Sequence, residues 1–155
     1  MEGPEPIEVH DYSGLPGVTV LAKAYRCGAC GEDLIGYERL EELHREIALA
    51  LVDKRGRLAP AEVRYLRTWL QLEGQELAAC MGTTPSTVSR WENGAKPIGK
   101  VADRLLRAMV LLQPSGYPIV RFKDMGRGSA RALRLRLEVE AGHWRQRTPK
   151  LAAVS

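Results

Sequence analysis

The sequence predicts an α+β fold, and three patterns carry that prediction. Apolar stripes at helical spacing dominate residues 37–112, a β-branched run at residues 18–25 follows turn material, and the C-terminal region alternates with period two. The expected architecture is a small N-terminal strand and knuckle unit with one helix, an all-α middle domain, and a short C-terminal strand or hairpin. Its expected domain limits are 1–57, 58–113 and 114–155.

Strands are expected at residues 7–9 and 18–25, because Val18, Val20 and Leu21 are good strand formers and residues 13–17 supply a turn. From Tyr37 to Val52 the period changes. Leu40, Leu43, Ile47 and Leu51 fall on one stripe while Glu41, Glu42, Arg45 and Glu46 fall elsewhere, which reads as an amphipathic helix. Lys54, Arg55, Gly56 and Arg57 form a polar break. A helix then starts at Pro60 with Val63, Leu66 and Leu70 on its inner stripe. Three shorter helices follow, at 74–81, 85–92 and 98–112, separated by residues 82–84 and 93–97. Near the end, Leu133, Leu135, Leu137 and Val139 alternate with Arg134, Arg136, Glu138 and Glu140, and Ala141 and Gly142 form a turn before Trp144. Leu, Arg and Glu also favour helices, so a helical alternative stays open there.

The chain has 155 residues, 45% hydrophobic and 27% charged, the balance of a chain that forms a packed core. Its longest uncharged run, residues 108–120, is broken by Pro114, Gly116 and Pro118 and is too short to span a bilayer. With an acidic start unlike a signal peptide, a cytoplasmic location is expected and no membrane partner. Three cysteines, two of them in a C-x-x-C pair, fit thiols or metal ligands better than a disulfide framework. Charge is uneven: residues 1–58 hold seven basic against eleven acidic side chains, and residues 113–155 hold nine against three. A basic rear half suits a polyanionic partner.

Residues 77–94 carry the most chemistry. Ala78 allows two helices to approach closely, Gly82 permits the positive φ of a sharp turn, and Thr84 caps the next helix ahead of Pro85. Val88 and Trp91 should face inward, leaving Ser86, Arg90 and Asn93 outward. Such a face fits the DNA major groove, where Arg90 can bond bidentately to guanine and Ser86 to base edges. Asn93, Lys96 and the amides near Thr84 suit phosphates. The candidate DNA-contact set is Thr84, Pro85, Ser86, Thr87, Ser89, Arg90, Asn93 and Lys96. The competing reading is packed helices whose Ser86 and Arg90 are ordinary solvated surface.

In Leu66-Arg67, Leu77-Ala78 with Gly82, and Trp91-Glu92-Asn93-Gly94, residues 60–112 resemble the lambda-repressor-like (Xre) helix-turn-helix family. The resemblance implies a pair between Arg67 and Glu92 that ties the first helix to the recognition helix. The chain departs from the family at Glu73-Gly74, where Ser or Thr then Gln is usual, and places Gln75 one position later.

Cys27-Gly28-Ala29-Cys30-Gly31 has the form of a zinc knuckle, which supplies two of the four ligands of a closed site. Two readings stand: Zn2+ bound by Cys27 and Cys30, most attractively shared across a dimer, or a knuckle without metal. His10 and His44 are the other donors, and His44 reads more simply as a boundary residue of its helix. Cys80 should be a small core residue. Together with Glu41-Glu42-Leu43-His44-Arg45 and residues 58–67, the knuckle makes residues 13–112 similar to MqsA-type (YgiT-type zinc-finger) antitoxins and regulators. Residues 10–15 stand where that family can carry a first C-x-x-C pair.

These readings lead to a sequence-specific transcriptional regulator, a homodimeric repressor of its own operon that binds a palindromic double-stranded operator. Dimerisation is expected because one such unit buries too little surface for operator-level affinity. The alternative is an antitoxin whose N-terminal domain neutralises a toxin protein and which autoregulates. An enzyme using Cys27 or Cys30 is disfavoured, since neither a βαβ context nor an acid/base partner is near in sequence.

Overall fold

The structure, a computed structural model, describes residues 4–130 and 132–147. Residues 148–155 of the expected C-terminal extension lie outside the described residues. The fold is α+β. The chain divides into two compact units, Met1–Met125 and Gly126–Ser155. The division falls between Met125 and Gly126, whereas the sequence suggested limits near 57 and 113. Among the described residues no helix is long and apolar enough to cross a membrane.

The first unit opens with a three-stranded antiparallel sheet in the order β1-β2-β3, with β1 at Glu5–Val9, β2 at Val20–Arg26 and β3 at Asp33–Gly36. Ile7 lies opposite Ala22, and Tyr25 opposite Leu34. Between β1 and β2 the chain makes a 3-10 turn at Tyr12–Gly14 and buries Leu15. The two anticipated strands are present, longer than expected at β1. The third, β3, was not anticipated: four residues just beyond a glycine turn give too short a period to read.

Helix α1 spans Leu40–Asp53 and buries Ile47, Ala48 and Leu51. Glu41 and Glu42 occupy its first turn, where the positive end of the helix dipole favours them. Leu40, expected on the inner stripe, is exposed because it is the first helical residue. Helix α2, Pro60–Trp69, starts with proline at its first position, and a Glu62 carboxylate oxygen accepts from the Ala59 N–H at 2.7 Å. Helices α3 (Gly74–Met81), α4 (Pro85–Asn93) and α5 (Lys100–Leu112) follow near the expected limits. Ile98 is buried but precedes α5, and Gly99 takes the cap position. A 3-10 stretch at Ile119–Asp124 then packs on α3.

One hydrophobic cluster joins these parts. It contains Leu15, Ala48 of α1, Leu66 of α2, Leu77 of α3, Val88 of α4, Leu106 and Met109 of α5, and Ile119. The polar break at residues 54–57 runs over this cluster and is held by α5. Arg107 donates to the carbonyls of Val52 (2.9 Å), Lys54 and Gly56 (2.6 Å), and its Nε donates to Asp103 at 2.7 Å. Asp103, itself buried, also accepts from the Leu58 N–H at 2.7 Å. Fully partnered buried polar groups of this kind hold one backbone path, because each lost partner leaves an unsatisfied group.

The described residues of the second unit include an antiparallel hairpin, β4 at Arg136–Glu140 and β5 at His143–Arg147. Ala141 and Gly142 take φ of 49° and 79°, the positive values of a two-residue type I′ turn. The period-two reading therefore prevails over the helical one in this segment.

Candidate functional site

The features that could meet a partner converge on α3, α4 and the turn between them. Gly82 ends α3 with φ 64°, the left-handed value that only glycine adopts readily, and its N–H bonds back to the Ala79 carbonyl. The chain then reverses through Thr83. Thr84 is extended and its hydroxyl accepts from the Thr87 N–H at 3.2 Å, while Pro85 fills the first helical position. These contacts fix where α4 begins.

Spacing decides what α4 presents. Val88 and Trp91, at 1% and 6% exposure, turn into the shared core. Ser86, Ser89, Arg90 and Asn93 lie on the opposite side and are exposed, as are Thr84, Pro85 and Lys96. Thr87 is half-buried, with its hydroxyl 2.9 Å from that of Thr84, so of the candidate set it serves the cap most directly. Asn93 accepts from the Ala95 N–H at 2.9 Å through its side-chain oxygen, which leaves its amide group to point elsewhere. The Lys96 N–H bonds to the Arg90 carbonyl at 3.1 Å and folds the 93–97 loop back on the end of the helix. The exposed face is thus short and polar, with Arg90 and Lys96 as its cations.

Glu92 anchors α4 from behind. Arg67 of α2 grips it with two nitrogens, Nε to Oε1 at 2.5 Å and Nη2 to Oε2 at 3.1 Å, and also donates to the Leu72 carbonyl at 2.9 Å. The Glu92 hydrogen bond pushes the Arg67 pKa further up. Arg64 adds a second cation 3.5 Å from Glu92. The Arg67–Glu92 pair was implied by resemblance alone; the contact by Arg64 had no sequence signal.

His44 is not placed as a ligand. Its Nδ1 lies 2.7 Å from the Tyr65 hydroxyl and its Nε2 3.3 Å from that of Tyr12, so it links the first turn, α1 and α2. Burial pushes the Tyr65 pKa up to about 12, which keeps that hydroxyl protonated at neutral pH. His10 lies 3.1 Å from the Thr19 hydroxyl and 3.6 Å from Glu8.

Cys27 and Cys30 sit on the tight turn between β2 and β3, where the Gly31 N–H bonds to the Cys27 carbonyl at 2.8 Å. Hydrogen bonding from the Cys30 backbone, then from its thiol, holds the Cys27 pKa below the usual thiol value. Among the described residues no group of three or more His, Cys, Asp or Glu is placed to hold a metal. Among the described residues the knuckle therefore brings together two donors, where a closed zinc site takes four. Cys80 is buried with its thiol 3.7 Å from the Ile119 carbonyl, and burial raises its pKa.

No family model matches the chain, and no curated protein and no solved structure matches it either.

Proposed function

We propose that the protein is a sequence-specific DNA-binding regulator that acts as a homodimer and represses its own operon, with α3 and α4 forming a helix-turn-helix. The observation that supports this reading most is the two-sidedness of α4. Val88 and Trp91 lock it into the core and Glu92 ties it to Arg67, so Ser86, Ser89, Arg90 and Asn93 are held outward on a fixed element. A rigid polar helix face with one arginine suits the major groove, where a bidentate guanine contact discriminates by about 1–3 kcal/mol. The N–H groups at the start of α4 and Lys96 suit phosphates, which set register without reading sequence. In this reading the protein is not an enzyme.

The test is Arg90→Ala. The substitution should leave folding intact and weaken operator binding by about 1–3 kcal/mol per half-site, with little loss on random DNA. An unchanged operator-to-random affinity ratio would reject the assignment.

A second reading, an antitoxin that also autoregulates, draws on the outer face of the N-terminal sheet. Leu21 and Leu34 are 72% and 67% exposed there, in the acidic part of the chain. That exposed apolar face suits a protein partner. Coexpression with the product of an adjacent reading frame tests it: a stable complex lost in Leu21→Asp with Leu34→Asp supports this reading, and no complex opposes it.

A further inference from the structure

Among the described residues the hairpin of the second unit pairs each strand on one side only. Val139 lies opposite Trp144 and Leu137 opposite Gln146, so Leu137, Val139 and Trp144 share a face, with exposures of 50%, 59% and 71%. Leu135 continues the alternation toward the N-terminus and is 46% exposed. A two-stranded hairpin is marginal alone, and an open edge with an apolar face is a template for another strand.

The turn geometry tells which backbone groups that edge offers. A two-residue type I′ turn closes on Glu140 and His143, whose backbones exchange hydrogen bonds. Alternation then directs the N–H and C=O of Arg136 and Glu138 toward β5, and those of Leu137 and Val139 toward the open edge.

We infer that β4 pairs antiparallel with β4 of a second copy of this chain, about a two-fold axis at Leu137. The order of charges selects this partner and this register. Arg134 and Arg136 precede Leu137, and Glu138 and Glu140 follow it. The pairing sets Arg136 opposite the partner's Glu138, Arg134 opposite the partner's Glu140, and Leu135 opposite the partner's Val139. The symmetry repeats each match. An axis moved to Glu138 would set that carboxylate against its own copy, and parallel pairing in register would align arginine with arginine. The selected register also uses the backbone groups that point outward, since Leu137 meets its copy as a hydrogen-bonded pair. It requires β4 to extend back to Arg134, over which the alternation already runs. Within one chain Arg136 pairs with Glu138 at 2.8 Å, and Glu138 and Glu140 hold further contacts, so the pairing exchanges contacts of exposed side chains within a chain for contacts between chains. The product is a four-stranded sheet with one continuous apolar face.

This assignment rests on the homodimer part of the proposed function and not on DNA binding, so its test omits DNA. The mass of the full-length protein in solution is measured across a concentration series for three samples. Wild type should dimerise. Arg134→Glu with Arg136→Glu turns every charge pair of the interface into a like-charge pair and should weaken the dimer about tenfold or more. A second variant, Glu138→Arg, Glu140→Arg and Arg145→Glu, should weaken similarly, the last change keeping position 138 complementary to its hairpin neighbour. Mixing the two variants restores opposite charges at every position and should restore a dimer containing one of each. A monomeric wild type, a first variant that dimerises as well as wild type, or a mixture that stays monomeric would each overturn the assignment. Operator binding by wild type, measured separately, then shows whether the DNA reading stands or falls apart from it.

Discussion

Arg90 and Trp91 are neighbours in the chain with opposite duties, and the difference follows from 100° of helical rotation. Trp91 is buried in the core cluster, on a helix that packs against α2 and α3, so Trp91→Ala should lower stability by about 3–5 kcal/mol, whereas Arg90→Ala should leave the melting temperature unchanged. Thermal unfolding of the two variants side by side checks this, and equal melting would contradict the inward placement of the indole. Asp103 is the other residue on which the structure leans. Asp103→Ala would leave Arg107 without its carboxylate and the Leu58 N–H without an acceptor, a loss of about 3–5 kcal/mol for a buried pair. Arg55→Ala, on the loop that Arg107 holds but exposed, should cost little.

The elements were legible where one period governs a long enough stretch. Val88 and Trp91 three apart, and Leu133 to Val139 two apart, announced an inner helix face and a strand. What was not legible depended on residues far apart in sequence. Lys54 to Arg57 looked like a solvated boundary because the partner of its carbonyls, Arg107, lies about fifty positions on. His44 could be placed only on its own helix, since its contacts with Tyr12 and Tyr65 come from two other elements. Of the candidate DNA set, exposure could be read from the spacing, but the engagement of Thr87 with Thr84 could not. The knuckle allows a further prediction at this scale. Because hydrogen bonds lower the Cys27 pKa and burial raises that of Cys80, the Cys27 thiolate forms at lower pH. Near neutral pH a limiting thiol reagent should therefore modify the knuckle well before Cys80 in the folded protein, as peptide mass mapping would show. Equal rates would mean that Cys80 is not shielded.

For the whole molecule, the apolar cluster that runs from Leu15 to Ile119 makes residues 114–125 part of the first unit rather than the start of a tail. Truncation after Gln113 removes Ile119 and uncovers Cys80, and should lower the melting temperature far more than truncation after Met125. Similar melting of the two truncations would contradict this placement.

The central claim, that α4 reads DNA sequence, is tested most directly by selecting bound fragments from a random duplex library and sequencing them, in parallel for wild type and Arg90→Ala. The account predicts that wild type enriches two inverted half-sites centred about one helical turn apart, or a multiple of it, and that Arg90→Ala loses a guanine preference within each. No enriched motif with wild type, or the same motif at the same strength with Arg90→Ala, would contradict it.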